Sequence, residues 1–148
     1  MLAEIAWTGA VQFEAKSGSG HTLRLDGPPA AGGQNGGPRP MELMLMGVGA
    51  CASYDVVTIL QRSRQDVQGC VARLEADRAD EAPKVFTAIR LHFVVTGRGL
   101  SEAKVARAVS LSADKYCSAS IMLKRGGVDI THTHEIVELN PTESGTDA

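Results

Sequence analysis

Polar and apolar residues alternate along several short stretches of this chain, which predicts β-strands with one buried face. Residues 3–13 and 21–25 form the first pair of such stretches, and the flexible sequence KSGSG between them predicts a β-hairpin. Residues 67–77 and 86–96 form a second pair, for which we expect antiparallel strands. A last strand is expected over about residues 128–139.

Two helices are predicted between these strands. Residues 43–60 are apolar on every side, and Pro38 and Pro40 before them suit the first turn of a long helix. A second helix is expected from Ser101, a suitable N-cap, to about Tyr116, because apolar residues recur there at helical spacing. The order β-β-α-β-β-α-β indicates an α+β fold.

The chain is expected to form a single domain over residues 1–148. Residues 1–37 would hold the N-terminal hairpin and a mobile, Gly/Pro-rich surface loop, and residues 38–139 the helix and strand core. Residues 140–148 are polar and are expected to form a frayed tail.

A helix that is apolar all round has to be covered on all sides, and one small sheet covers only one of them. Burial of apolar surface is worth roughly 25 cal/mol per Å², so a long apolar face left in water is costly. We therefore expect a homodimer with the long helix near its axis. Gly47 and Gly49 agree with this, since glycines inside a helix permit close approach of a neighbour.

Charge and composition narrow the classes of partner and location. The chain has 15 Lys and Arg against 17 Asp and Glu, a net charge of −2, and no basic cluster, so we expect neither nucleic acid nor anionic membrane as a partner. The long apolar segment carries Asp55 and two glycines, which favours a buried helix over a membrane span. The first residues do not resemble a signal peptide, so we expect a cytoplasmic protein.

Three cysteines carry the candidate chemistry. In a cytoplasmic chain they indicate catalysis, redox chemistry or simple burial rather than a disulfide framework. Cys70 lies on the inward face of a predicted strand and is expected to act as a small hydrophobe. Cys51 lies inside the apolar helix, whereas Cys117 ends a helix before Ser118, where free N–H groups favour a thiolate.

The segments around two of these cysteines resemble a known family. PMELMLMGVGACASYDVV and DKYCSASIML, whose cysteines lie 66 positions apart, are similar to the OsmC/Ohr family of thiol-dependent hydroperoxide reductases. The resemblance covers nearly the whole chain and is strongest to the YhfA-like branch, whose activity is less defined. It implies an intertwined homodimer in which antiparallel sheets pack around two central helices.

The resemblance also implies a redox cycle. Cys51 would be the thiolate that attacks an organic hydroperoxide and becomes a sulfenic acid, and Cys117 would condense with it to a disulfide. An external dithiol, such as a lipoyl protein or thioredoxin, would then reduce the disulfide, and neither a cofactor nor a metal is expected. The alternative is a non-enzymatic dimer that binds a small apolar ligand or senses redox state.

An ordinary thiol is only about 3% ionised at pH 7, so a cation near the reactive cysteine is expected. The family supplies an arginine from the strand region before the helix, held by a glutamate near the helix start. Arg24 in HTLRLDG is the first candidate for this cation, with Arg39 and His21 as alternatives. Glu42 is the candidate glutamate. In the hydroperoxide-resistance branch the glutamate directly follows the proline, but in this chain Met41 holds that position and Glu42 comes one later.

Helix geometry leaves two roles open for Glu42. Nine residues along an unbroken helix, Glu42 and Cys51 would point about 180° apart and differ by roughly 13 Å in height. A shared site would need a break at residues 47–49, or a carboxylate from a neighbouring chain. Otherwise Glu42 stabilises the helix dipole in the first turn.

Several other side chains are candidates for binding. An apolar substrate pocket at the subunit contact would be lined by Met44, Met46, Val48 and Tyr54, although such residues also serve as ordinary core. Asp55, one turn past Cys51, is expected to form a hydrogen bond or ion pair with an arginine, a lysine or a water.

His132 and His134 are two apart on a predicted strand and so face the same side. They are either a zinc-binding pair or polar residues on a strand face.

Overall fold

The computed structural model describes residues 1–140, which divide into two compact units with the boundary between Met46 and Gly47. Of the polar tail predicted over residues 140–148, all but Asn140 lie outside the described residues. Each unit is described separately, and the first helix begins in one and continues into the other.

The first unit holds a three-stranded antiparallel sheet. Its strands are β1 (Ala3–Gly9), β2 (Gln12–Ser17) and β3 (Thr22–Leu25), in the order β1-β2-β3. The predicted reversal near residues 16–20 is confirmed, because β2 and β3 pair across it.

The prediction of one strand over residues 3–13 is wrong. Gly9 and Ala10 have φ angles of +122° and +46°, which reverse the chain and divide this stretch into β1 and β2. The alternation survives the reversal because Trp7 pairs with Phe13 across the two strands and both side chains stay on one face. A period of two cannot distinguish one long strand from two short antiparallel ones.

The Gly/Pro-rich loop of this unit is organised around Asp26, whose side chain is 1% exposed. Its carboxylate accepts hydrogen bonds from the backbone N–H groups of Gly27 (2.7 Å), Gln34 (3.0 Å) and Gly36 (2.9 Å), and from Gln12 Nε2 (3.1 Å). The backbone hydrogen bond from Gly36 and the others lower the pKa of Asp26 to about 2, although burial opposes them. One carboxylate thus fixes a segment that composition alone describes as mobile.

Two glycines of this loop are required by close backbone contacts. A Cβ on Gly33 would overlap the carbonyl group of Gly27, and a Cβ on Gly37 would overlap that of Arg24. A short 3₁₀ turn, Pro29–Ala31, lies between them and the strand.

The long predicted helix is confirmed as α1 (Pro40–Arg62). Glu42 Oε2 accepts a hydrogen bond from the backbone N–H of Arg39 at 2.9 Å, so this side chain caps the first turn. The helix continues without interruption through residues 47–49, so the break on which a shared site of Glu42 and Cys51 within one helix would depend is not formed.

The second unit is built on a mixed sheet. Strands β4 (Asp66–Arg78) and β5 (Phe86–Arg98) are antiparallel, as predicted. Strand β6 (Asp129–Glu138) pairs with β5 in the parallel direction, so the expectation of purely antiparallel sheets is wrong. The chain between β5 and β6 crosses over through helices, and such a crossover returns the next strand parallel.

The second predicted helix is confirmed with a change near its end. Helix α2 (Glu102–Leu111) is capped by Ser101 Oγ, which accepts from Lys104 N–H at 3.4 Å. Residues Ser112–Tyr116 continue it as a wider π-helical turn, and α3 (Ser118–Arg125) follows.

The core of the second unit lies between its sheet and its helices. Gly49 fits closely over β4, since a Cβ there would come within 2.7 Å of Leu74 Cδ1. A Cβ on Gly47 would have no atom within 4 Å among residues 47–140 apart from its own helix backbone and chain neighbours. The large side chains of this core that are at most 2% exposed are Val48, Val56 and Leu60 of α1, Ile89, Leu91, Phe93 and Val95 of β5, and Val105 of α2.

Much of α1 remains uncovered by its own chain. Only 28% of its most apolar 18-residue window is buried, and by length and composition alone the helix could cross a membrane. The first unit likewise exposes Ile5 (60%) and Trp7 (69%) on its sheet. Each unit therefore presents apolar surface that the single chain leaves open.

We predict that Asp26→Asn lowers the melting temperature at pH 7. A carboxyl group whose folded pKa is lowered contributes stability above its unfolded value of 3.8, and this contribution is lost as the pH falls towards about 2. Calorimetric melts from pH 2 to 7 should therefore show a difference from wild type that shrinks below pH 4. Asp80→Asn, at an exposed loop position, is the control, and equal melting temperatures for Asp26→Asn and wild type at pH 7 would contradict the prediction.

A candidate thiol site

The structure brings together the two cysteines that the sequence singles out. The Sγ atoms of Cys51 and Cys117 and a carboxylate oxygen of Asp55 all lie within 4.8 Å of one another. Cys51 and Asp55 stand one turn apart on α1, and Cys117 reaches them from the segment between α2 and α3. Residues distant in sequence thus form one cluster of two thiols and a carboxyl group.

The π-helical turn Ser112–Tyr116 positions Cys117. The buried Ser112 Oγ donates a hydrogen bond to the backbone carbonyl of Ala52 at 3.1 Å, which ties the turn to α1 beside Cys51. The backbone N–H of Cys117 donates to Ser112 O at 2.9 Å and closes the wide turn, after which the backbone becomes extended. Such single wide turns are common at functional sites.

Cys117 is a buried thiol at the start of a helix. Its side chain is 0% exposed, and its Sγ accepts a hydrogen bond from the backbone N–H of Ser120 at 3.4 Å as the N-cap of α3. Burial raises the pKa of Cys117, and neighbouring Cys51 raises it too, although the hydrogen bonds from Ser120 act against both. The predicted N–H contact is therefore present, but desolvation outweighs it and favours the thiol over the thiolate.

Asp55 is the third member of the cluster. Its Oδ2 is buried and has no hydrogen-bond partner among residues 47–140, and no ion pair involves it within that range. Burial raises the pKa of this carboxyl group. The lysine or arginine expected for Asp55 is thus not found in its own unit.

An open cleft of about 390 Å³ adjoins the cluster along α1. Tyr54, predicted to line a pocket, lies at this cleft with 72% of its surface exposed, and Asp55 forms part of the wall. Val48, predicted beside it, is instead 2% exposed and belongs to the core. The complete lining is Tyr54, Asp55, Thr58, Ile59, Arg62, Ser63, Leu111 and Tyr116.

The candidate cations of the sequence lie in the first unit. Arg39 Nη1 donates to Asn35 Oδ1 and Gly37 O, so this side chain helps to hold the loop before α1. Arg24 is exposed and forms no ion pair among residues 1–46. His21 Nδ1 lies 3.0 Å from the Ser19 hydroxyl in the β2–β3 turn.

Met44 and Met46 are both exposed in the chain, at 46% and 58%, on the part of α1 that belongs to the first unit. They are therefore apolar surface, and the pocket predicted for them stays a prediction.

The two histidines of β6 face one side of the sheet, as predicted, but they make different contacts, and His132 Nε2 is buried without a hydrogen-bond partner among the described residues. The ring of His132 stacks on Phe93 with 6.4 Å between centroids, and burial lowers its pKa. His134 Nε2 lies 2.6 Å from Glu102 Oε1 at the start of α2. These contacts favour polar residues on a strand face over a zinc pair.

Cys70 is half-buried, and burial raises its pKa. This agrees with its expected behaviour as a small hydrophobic residue on a strand.

Among residues 1–140, the cluster of Cys51, Asp55 and Cys117 is the one group of three side chains whose donor atoms lie close enough for a metal ion. Two of these three donors are the thiols that a disulfide would require. Occupation by a metal and disulfide formation are therefore mutually exclusive uses of the cluster.

Comparison with known proteins gives consistent matches over most of the chain. Residues 33–133 match a family model described as OsmC-like protein. The chain is 48% identical to Protein YhfA of Escherichia coli K12 over 137 residues, which cover 93% of this chain and 98% of that protein.

Solved structures share the fold. A hypothetical protein from Aquifex aeolicus VF5 is similar at 27% identity and a TM-score of 0.81, covering 94% of this chain and 97% of its own. An organic hydroperoxide resistance protein OsmC from Legionella pneumophila is similar at 20% identity and a TM-score of 0.68, covering 90% and 95%. The second likeness carries fold information only.

We predict that Asp55→Asn stabilises the folded protein at neutral pH. Because the folded pKa of Asp55 is raised above 3.8, the stability linked to its protonation is full below that value and is lost as the pH rises through the folded pKa. Asparagine carries no charge to bury, so the variant should gain about 1 kcal/mol over wild type at pH 7 and nothing at pH 3.

Chemical denaturation at the two pH values measures this difference. Asp129→Asn, on the exposed edge of β6, serves as the matched control. A loss of stability in Asp55→Asn at pH 7 would show that its carboxylate is well paired after all.

Proposed function

We propose, because this chain belongs to the OsmC-like protein family, that it is a thiol peroxidase that reduces organic hydroperoxides. The observation that carries the proposal is the approach of the Cys51 and Cys117 sulfur atoms to within 4.8 Å. The two sulfur atoms of a disulfide are about 2.05 Å apart, so rotation of the two side chains with a small backbone shift would allow the bond to form.

The reaction would proceed in two oxidative steps. The Cys51 thiolate attacks the terminal oxygen of the hydroperoxide, the O–O bond breaks, and an alcohol leaves while the sulfur becomes a sulfenic acid. The sulfur of Cys117 then attacks that of Cys51, and water leaves as the disulfide forms. Cys51 is the partly exposed member of the pair and Cys117 the fully buried one, which suits this order of attack.

The cleft that Asp55 lines supports an organic substrate. Its wall combines Tyr54, Ile59, Leu111 and Tyr116 with a few polar groups, so an apolar hydroperoxide would be bound better than hydrogen peroxide. The similar Legionella pneumophila protein is an organic hydroperoxide resistance protein by name, and we extend that class of substrate to this chain. An external dithiol, such as a lipoyl protein or thioredoxin, would return the disulfide to two thiols.

We propose Arg24 as the cation that favours the thiolate of Cys51, in line with the prediction from the sequence. Arg24 is exposed and without an ion pair in its own unit, whereas Arg39 is engaged by Asn35 and Gly37. Glu42 caps α1 within one chain, and its predicted catalytic role would require a carboxylate supplied by the partner chain.

The proposed assembly is a homodimer of this soluble fold in the cytoplasm. The apolar length of α1 and the exposed face of the first sheet are the surfaces that a second copy would cover. Leaving both in water would cost roughly 25 cal/mol for each Å² of apolar area.

We predict that one equivalent of cumene hydroperoxide converts Cys51 and Cys117 of the reduced protein into a disulfide. Mass spectrometry of the non-reduced digest should show the linked peptides, and peroxide consumption should match the loss of two thiols. Cys51→Ser should abolish consumption, because the remaining thiol of the cluster, Cys117, is fully buried and its pKa is raised by burial. Cys117→Ser should still react once and stop at the sulfenic acid.

Cys70→Ser is the control and should behave as wild type. If Cys51 reacts with the hydroperoxide no faster than a free thiol in solution, the enzyme proposal is wrong. The protein would then be a dimeric ligand-binding or redox-sensing member of the family.

We predict that the protein in solution has twice the chain mass of 15.6 kDa. Ile5→Glu places a charge on the open face of the first sheet and should shift the mass measured by light scattering towards the monomer. Ala6→Glu adds the same charge on the opposite face and should leave the dimer intact. A monomeric wild type at micromolar concentration would contradict the assembly.

A further inference from the structure

Asp55 lies beside the two reacting sulfur atoms, and the reaction of the thiol pair alone gives its carboxyl group no role. Its carboxyl oxygen lies within 4.8 Å of both sulfur atoms, and the same side chain lines the cleft from which a substrate would arrive. Its Oδ2 is buried and unpartnered among residues 47–140. A buried oxygen without a hydrogen bond destabilises the folded protein, and this free-energy cost is offset when a ligand or reacting group supplies the missing partner.

Resting on the proposed peroxidase function, we propose that Asp55 shares one proton with Cys51 and delivers it to the alkoxide that leaves when the O–O bond breaks. The pair then alternates between a thiol beside a carboxylate and a thiolate beside a carboxylic acid. The second form holds both the nucleophile and the acid that the reaction requires.

The step balances with these groups alone. The Cys51 thiolate forms a bond to the terminal oxygen of the hydroperoxide, the O–O bond breaks, and the sulfur loses the two electrons that reduce the peroxide. The departing alkoxide takes the proton of the Asp55 carboxylic acid, so the products are a sulfenic acid, an alcohol and the Asp55 carboxylate. One negative charge is present before and after the step.

The environment of Asp55 favours this use. Two negative charges in a poorly solvated cluster repel each other, so a single shared charge is the favoured state. Burial raises the pKa of Asp55, which favours its protonated form. The titratable or charged groups that share the cluster or the cleft with it within residues 47–140 are Cys51, Tyr54 and Arg62 of its own helix and Tyr116 and Cys117 of the segment after α2.

Two reagents separate proton delivery from simple thiolate reactivity. The leaving group of cumene hydroperoxide is an alkoxide, which needs a proton. The leaving group of iodoacetamide is iodide, which needs none. Single-turnover rates of Cys51 with each reagent are measured from pH 5 to 9 by peptide mass spectrometry, in EDTA, for wild type, Asp55→Asn and Asp129→Asn. Asp129→Asn removes an exposed carboxylate and should match wild type throughout.

We expect Asp55→Asn to slow the peroxide reaction without slowing alkylation. At pH 7 the peroxide reaction should slow at least 10-fold, within the range of acid–base catalysis, because the proton donor is gone. Alkylation should be unchanged or faster, because no neighbouring carboxylate opposes the thiolate. The pH profile of the peroxide reaction should lose its plateau near neutrality and rise as a single titration, and Asp55→Glu should restore part of the plateau.

Equal slowing of both reactions, with unchanged profiles, would overturn the inference and indicate a structural role. An unchanged peroxide rate would overturn it as well. If wild type does not consume the hydroperoxide, the proposed peroxidase function is wrong, and alkylation by iodoacetamide still tests the shared proton. Faster alkylation in Asp55→Asn would then support a proton shared by Asp55 and Cys51, and a pH profile identical to that of wild type would overturn it.

Discussion

Cys51 and Cys117 hold their sulfur atoms within 4.8 Å in a region where charge is poorly solvated, and the proposed chemistry depends on this contact. Burial raises the pKa of Cys117 and so favours its thiol form. Asp55 places a carboxyl group with a buried, unpartnered Oδ2 beside both sulfur atoms, and in our proposal this group holds the proton that Cys51 gives up.

The fold supplies the contact from elements far apart in sequence. The sheet of β4, β5 and β6 gives α1 and α2 a common apolar base, and Gly49 lets α1 approach Leu74 closely. The π-helical turn Ser112–Tyr116, tied to Ala52 by Ser112, then places Cys117 beside Cys51. The exposed part of α1 is the surface that a second chain would cover in the proposed dimer, and the proposal therefore links assembly and site.

Local patterns predicted the helices and most strands, because burial periodicity and capping by Ser101 are local properties. The pairing of Cys51 with Cys117 came from the family resemblance. They could not distinguish one strand from two at Gly9 and Ala10, since Trp7 and Phe13 keep one face across the turn. The parallel direction of β6 depends on a crossover and was missed for that reason. Asp26 and Asp55 show the same limit. The loop buries Asp26 and holds its carboxylate by hydrogen bonds, and packing buries Oδ2 of the partly exposed Asp55, and the local sequence pattern predicts neither environment.

A crystal structure of the protein after reaction with an organic hydroperoxide tests the central claim most directly. The account predicts continuous density between Cys51 and Cys117 with a sulfur separation of about 2.05 Å and the surrounding helices largely in place. Cys51 oxidised to a sulfinic acid while Cys117 remains a separate, reduced thiol would contradict it.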